Sequence, residues 1–168
     1  MFKYGVSVKS LRQATREDIT RIAEIESLGF PEAEAATLAI FYERFQAFPE
    51  CFFVLEVNEE IVGHINGCIN DSPELPDELY LNSSLHCPNG KYQTVFGLVV
   101  APNYQGNGYA GLLTKHLIDV SKSRGLVGIV LTCKDHLVRF YQKYGFNHQG
   151  KSASTHGGVG WNDMLLIF

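Results

Sequence analysis

The sequence predicts an α/β (mixed α+β) domain, with a mixed, mostly antiparallel central sheet and helices on both faces. Three observations carry this. The apolar patterns run in the order β-α-α-β-β-β-α-β-α-β-β. In the first half, consecutive strand-like runs are joined by short turns, which makes hairpins. In the second half, helical patterns separate the strands, which makes crossovers.

Taken in order, Val8 to Gln13 alternates weakly and reads as a first strand. Thr15, with Asp18 three residues on, resembles a capping box in which Asp replaces the usual Glu. Ile19, Ile22, Ala23, Ile25 and Glu26 form the stripe of a helix that stops near Gly29. Glu32 to Ala47 has helical spacing at Leu38, Phe41, Tyr42 and Phe45 and ends before Pro49. CFFVLEV and IVGHINGCIN read as two strands around a tight turn. Residues 71–90 hold three of the six prolines and little periodicity, which predicts a long surface excursion of the functional kind. A strand over 93–100, a helix over 108–123 and a strand over 128–133 follow. A short helix over 136–144 is ended by Gly145, and two closing strands, 146–153 and 161–167, flank the glycine-rich THGGVG. Without repeats, linkers or low-complexity tracts, 1–168 reads as a single domain.

Composition narrows the class. Hydrophobic content of 45% and charged content of 19% suit a soluble globular chain, and a net charge of -4 argues against nucleic acid or an anionic membrane as partner. No apolar run reaches the ~18 residues of a membrane span, and the N-terminus lacks a signal-peptide core, so a cytoplasmic location is expected. The four cysteines show no C-x-x-C spacing, and Cys51, Cys68 and Cys133 sit in apolar runs, as buried free thiols do. Histidines and cysteines lack metal-ligand spacing, so no metal is expected.

The informative stretch is VFGLVVAPNYQGNGYAGLL, residues 95–113, in which a strand leads through Gly106, Gly108 and Gly111 into a helix. A helix N-terminus carries unpaired N–H groups and partial positive charge, and glycines let a phosphate approach them. The spacing also fits a dinucleotide fingerprint, with Asp135 as its ribose acid. Against that, five residues separate strand from first glycine where the fingerprint turn is tight, and only about 35 residues follow the second strand. A plain glycine turn before a helix is the bland alternative.

The segment Val99-x-x-Pro102-x-x-Gln105-x-x-Gly108-x-Ala110 resembles the acetyl-CoA signature of the GNAT N-acetyltransferases, whose core is Arg/Gln-x-x-Gly-x-Gly/Ala. Phe140-Tyr141-Gln142-Lys143-Tyr144-Gly145-Phe146 resembles that superfamily's second hallmark, a tyrosine helix closing on Gly-Phe. LTCKDHLVRFYQKYGF and FPECFFVLEVNEEIVGHING are similar to the arylalkylamine (serotonin-type) branch, in particular its bacterial relatives. The resemblance implies a GNAT-like fold and acetyl-CoA as co-substrate. It implies that Leu98, Val99 and Val100 pair with the pantetheine. Gln105, Gly106, Asn107, Gly108, Tyr109, Ala110 and Gly111 would hold the pyrophosphate through main-chain N–H groups. Tyr141 would lie near the thioester sulfur, where a phenol can protonate the leaving thiolate. Phe140, Tyr144 and Phe146 read as core. The animal enzymes carry two strand histidines that help deprotonate the amine; Thr94 and Phe96 stand at those positions, so the serotonin-type substrate is not carried over.

The general base is therefore open among His156, His64, His86, His136, the carboxylates Asp163 and Glu56, and water. His156 is the first choice, because it lies in the loop between the last two strands, which lines the acceptor cleft in this superfamily. His116 sits among polar neighbours and reads as a solvated face. Cys133 has no activating base beside it in sequence, so transfer is expected to be direct, in a ternary complex. The expected acceptor is a primary amine of a small molecule, with Phe30, Pro31, Tyr42 and the 71–90 excursion as walls of its site. The expected assembly is a monomer or homodimer. The competing reading is a non-catalytic acyl-CoA-binding or sensor domain of the same fold.

Overall fold

The computed structural model describes residues 8–168. Its first half holds β1 (Lys9–Gln13), α1 (Ile19–Gly29), α2 (Leu38–Ala47), β2 (Phe52–Val57), β3 (Glu60–Asn66), β4 (Ile69–Asn70) and α3 (Glu78–Leu81). Its second half holds β5 (Tyr92–Val95), β6 (Gly97–Val100), α4 (Tyr109–Ser123), β7 (Gly128–Cys133), α5 (Val138–Gln142), β8 (Asn147–Lys151) and β9 (Asn162–Ile167). The strands form two sheets, β1-β2-β3-β6 and β4-β5-β7-β9-β8. Every pairing is antiparallel except β5 with β7. The expected mixed, mostly antiparallel architecture is therefore present.

Local chemistry explains most elements. The Thr15 N–H donates to Asp18 Oδ2 at 2.7 Å, the carboxylate half of the anticipated capping box. Between β2 and β3, Asn58 and Glu59 both take positive φ (51° and 68°), the geometry that matches a tight two-residue hairpin to strand twist. One face of the sheets is covered by α4 and α5, which bury Leu113, Leu117 and Tyr141 with Leu55, Ile65 and Met164. The other is covered by α1 and α2, which bury Ile19, Ile22 and Phe41 with Phe52 and Val54. Cys51, Cys68 and Cys133 are buried free thiols as expected, and burial pushes the Cys51 thiol up to about 12.

Three elements differ from expectation. The run 93–100 is not one strand: it breaks at Phe96, and its halves, β5 and β6, belong to different sheets. The run 61–70 breaks likewise at Gly67–Cys68, because the backbone at Gly67 lies directly against the Thr94 carbonyl and leaves no room for a side chain. The second helix starts only at Leu38, capped by Thr37, whose hydroxyl accepts the Ile40 N–H at 3.2 Å. Residues 31–36 form a separate turn in which Glu34 and Ala35 donate to the Pro31 carbonyl at 2.9 and 3.0 Å.

Candidate active site

Splitting one extended run between two sheets opens the cleft. β5 stays beside β7 as far as Val95↔Leu131, while β6 continues alone against β3. Past Phe96 the two sheets diverge, and the wedge between β6 and the end of β7 is an open cleft of about 950 Å³, mouth included. Gly97, Leu98, Val99 and Val100 form one wall; Thr132, Cys133 and Tyr141 form the other.

The edge of β6 that faces the wedge pairs with no strand. The Ala101 N–H donates to Val62 O at 2.8 Å, so by antiparallel alternation the backbones of Leu98 and Val100 point into the cleft and that of Val99 points at β3. The Val99 side chain instead packs tightly on Gly29 of α1. The Val100 carbonyl accepts from Gln105 Nε2 at 3.1 Å, which fastens the glycine loop to the strand end.

In that loop Gly106 and Gly108 have φ of +80° and +78°, and added side chains there would enter open space. Gly106, Asn107 and Gly108 donate no backbone hydrogen bond among the described residues. Asn107 Nδ2 donates to Tyr104 O at 3.0 Å, holding the loop's shape, and α4 begins at Tyr109. Tyr109 buries its side chain in the core, leaving its backbone at the helix start. Ala110 is half-buried beside it. Gly111 meets a further constraint: the Tyr144 hydroxyl occupies the space its side chain would fill.

Tyr141 is buried on the cleft wall, edge-on to Phe140 and Phe146. Burial, with smaller contributions from the Cys133 thiol and Tyr80, holds its phenol well above the ordinary tyrosine range, so it stays protonated. Cys133 is also pushed up, to about 11, by burial and then Asp135, so it is held as the thiol, not as a nucleophilic thiolate.

His156 also lines the cleft. Its ring stacks on Tyr80 (5.1 Å, 9°) and lies 6.0 Å from Trp161, and its Nε2 is 3.0 Å from the Glu34 carbonyl. That contact makes Nε2 the protonated nitrogen of the neutral ring and leaves Nδ1 as its acceptor. Glu34 is buried, with Lys134 Nζ 2.7 Å from Oε1 and 3.1 Å from Oε2. Asp77 accepts from the Ser154 hydroxyl and from the Thr155 N–H (3.0 Å), tying the 71–90 excursion to the His156 loop.

The other candidates separate clearly. His136 lines the cleft, exposed. His64 is fully buried behind β6, its Nε2 3.5 Å from Glu26 Oε1. His86 lies outside the cleft; its Nδ1 accepts the Ile69 N–H at 3.0 Å and its ring packs on Phe48. His116 is half-buried edge-on to Phe53 rather than solvated, and burial lowers its pKa. Asp163 faces a separate groove beside the excursion, and Glu56 is paired with Arg12. Of the expected acceptor walls, Phe30 lines the cleft, and the excursion contributes Tyr80 to it. Tyr42 is turned away under Arg16, and Pro31 serves the 31–36 turn. Thr94 donates to Cys68 O at 3.0 Å, and Phe96 lies beneath Arg44 at 4.6 Å, so neither replaces a base.

Sequence reasoning missed Glu34, Lys134 and Trp161 as cleft residues, because distant segments bring them together. Glu26 left a trace: a carboxylate on the apolar stripe of α1.

The wedge between the splayed strands thus lies beside a glycine loop that opens α4. The chain belongs to the Acetyltransferase (GNAT) family, whose family model matches residues 16–146. Membership makes it an N-acetyltransferase with acetyl-CoA as co-substrate, as its two motifs lead one to expect. It is 25% identical to the serotonin N-acetyltransferase of Mesocricetus auratus over 167 residues, 96% of this chain and 79% of that protein. The fold is similar to the loading GNATL domain of CurA from Lyngbya majuscula (TM-score 0.81, 17% identity, 95% of this chain and 98% of that one). It is also similar to a GNAT family acetyltransferase from Brucella melitensis solved in complex with acetyl-CoA (TM-score 0.62, 17% identity, 96% and 88%). No helix among the described residues is long and apolar enough to cross a membrane.

Proposed function

We propose that the chain transfers the acetyl group of acetyl-CoA to a primary amine of a small molecule, by direct attack in a ternary complex. The supporting observation is the strap across the acceptor end of the cleft. The 31–36 turn, the end of β7 and the β8–β9 loop are bridged there by Lys134 on Glu34 and by His156 on the Glu34 carbonyl. Gly157 lets the loop seat itself, since a Cβ there would lie 2.5 Å from Glu34 Cγ. A strapped cleft has an end wall, which limits how much of an acceptor it can hold and favours a compact one. Phe30, Tyr80, Phe96 and Trp161 make the closed end apolar enough to seat a compact organic amine.

In this reading the pyrophosphate lies on the N–H groups from Gln105 to Gly111 at the start of α4. The pantetheine amides pair with the free edge at Leu98 and Val100, as a peptide strand adds to a sheet, and Val99 shapes that wall from α1. The acetyl carbonyl then faces the acceptor end. The amine nitrogen attacks that carbon, the carbon–sulfur bond breaks, and sulfur departs with the electron pair. Tyr141, kept protonated by its burial, donates a hydrogen bond as that charge develops. His156 Nδ1 orients the acceptor or takes its proton.

The test is thiol release from acetyl-CoA across a panel of small amines and short peptides. Turnover with small amines but not with peptide N-termini is the expected result. Preference for peptides would reject the small-molecule acceptor, and tight CoA binding without turnover would favour the sensor reading.

A further inference from the structure

Behind the acceptor side of β6 lies a buried polar cluster that the steps above do not use. Glu26 of α1 is 3% exposed; its Oε2 accepts the Ala36 N–H at 2.9 Å, but its Oε1 has no hydrogen-bond partner among the described residues. Both ring nitrogens of His64 are likewise buried without hydrogen-bond partners among the described residues, and Nε2 stands 3.5 Å from that same Oε1. The groups facing Glu26 are His64 and Asn66 from β3, Arg44 from α2 and the Ala36 amide from the turn. Arg44 spends its Nη groups elsewhere, on Asn66 Oδ1 (3.4 Å) and Tyr80 O (2.9 Å). A buried carboxylate oxygen without a donor is costly, and folds rarely retain one without use.

Gly97 shows how that oxygen communicates with the cleft. A Cβ on Gly97 would lie 3.1 Å from Glu26 Oε1 and 3.9 Å from Phe30 Cε2. Gly97 and Phe30 both line the cleft. Because residue 97 has no side chain, the orphan oxygen packs against the backbone of a cleft-lining residue, although Glu26 itself does not line the cleft.

The geometry points to Glu26 as the general base, with His156 left to orient the acceptor: Glu26 takes the proton of the bound ammonium at Oε1 through one water beside Gly97. The inference rests on the acetyltransferase reading. The balance is simple. One N–H bond of the ammonium breaks, the carboxylate becomes a carboxylic acid, and the amine keeps the electron pair with which it attacks the thioester. The proton returns to solvent by the same path after product leaves.

The test compares two acceptors: an alkylamine, ammonium at pH 7, and an alkoxy- or arylamine of low basicity, neutral at pH 7. Glu26→Gln keeps the shape and removes the base. With the alkylamine, kcat/KM at pH 7 falls by at least ~10-fold, at the low end of what general-base catalysis contributes. The loss shrinks as pH approaches the amine's own pKa, and it is absent with the weakly basic acceptor. Because removing Glu26 also leaves Arg44 without its buried counter-charge, Gly97→Ala serves as the second variant. It sets a methyl 3.1 Å from the oxygen, leaves the charge in place, and lowers kcat/KM more with the alkylamine than with the weakly basic acceptor. Equal losses with both acceptors in both variants make Glu26 structural and overturn the proposal, as does no loss at all. The two acceptors are taken from the amines that the panel finds accepted; a wild type that binds CoA and turns over no amine of the panel removes the small-amine transfer on which the inference rests, and the base with it.

Discussion

Tyr141 and Gly108 carry the sharpest consequences at the level of single residues. If the Tyr141 hydroxyl serves the departing sulfur, its hydrogen bond strengthens only as charge develops, so losing it lowers the rate and spares binding. Tyr141→Phe keeps the ring among Phe140 and Phe146. Turnover should fall at least ~10-fold while acetyl-CoA affinity moves less than about threefold; steady-state kinetics beside calorimetric titration reads both, and wild-type turnover would return Tyr141 to the core. At Gly108 the backbone has φ +78° and space beyond it is open. Gly108→Val thus meets no neighbour, but strains the loop by about 1–3 kcal/mol and puts a branched side chain where the phosphate is proposed to lie. Weakened CoA binding in a folded protein is expected, by circular dichroism and titration; unchanged affinity would place the phosphate elsewhere.

Among the elements, the β3–β4 crossing is the joint on which the two sheets hang. Gly67 lies against the Thr94 carbonyl, which is backbone and cannot swing aside. Gly67→Ala should therefore cost about 3 kcal/mol or more, above the usual penalty of an overpacked core. Urea unfolding would show it as a lowered midpoint with an unchanged slope. Gly111→Ala should cost less, about 1–2 kcal/mol, because the obstacle there is the Tyr144 hydroxyl at the end of a side chain.

For the molecule as a whole, ligand and acid are the informative perturbations. CoA at ~100 times its dissociation constant should stabilise the native state by about 2.7 kcal/mol, raising the melting temperature by roughly 5–10 °C. On the acid side, burial alone would raise the Asp18 carboxyl, but Arg12 and the Thr15 N–H outweigh it and hold it below its ordinary value. Asp77 behaves alike: burial opposes, and Ser154 and Thr155 prevail. Groups depressed in the folded state contribute stability above their unfolded pKa and lose it as pH falls through the folded one. The melting temperature should therefore decline below about pH 4. Asp18→Asn, by breaking a partly buried charged contact, should cost about 1–2 kcal/mol at pH 7 and flatten that decline. A parallel decline in the variant would mean that other carboxylates control acid unfolding.

Periodicity, turn chemistry and two motifs were enough to read the class of fold, the glycine loop, the tyrosine helix and the family. These depend on residues close together in the chain, where spacing maps directly onto a helix face or a turn. The break at Phe96 was not legible, because 93–100 is apolar throughout and only the choice of partner, β7 for one half and β3 for the other, divides it. The acceptor end was hidden for the same reason. Glu34 and Lys134 are ordinary surface types in sequence, and they join His156, which its loop had already singled out, in a strap because three distant connections converge on one cleft. Glu26 lies between these cases: its place on an apolar stripe was visible, but its unpaired oxygen exists only because β3, α2 and Gly97 close around it. Local pattern determined the elements and the glycine loop; tertiary pairing alone decided where the sheet opens and which polar groups are left without a partner beside it.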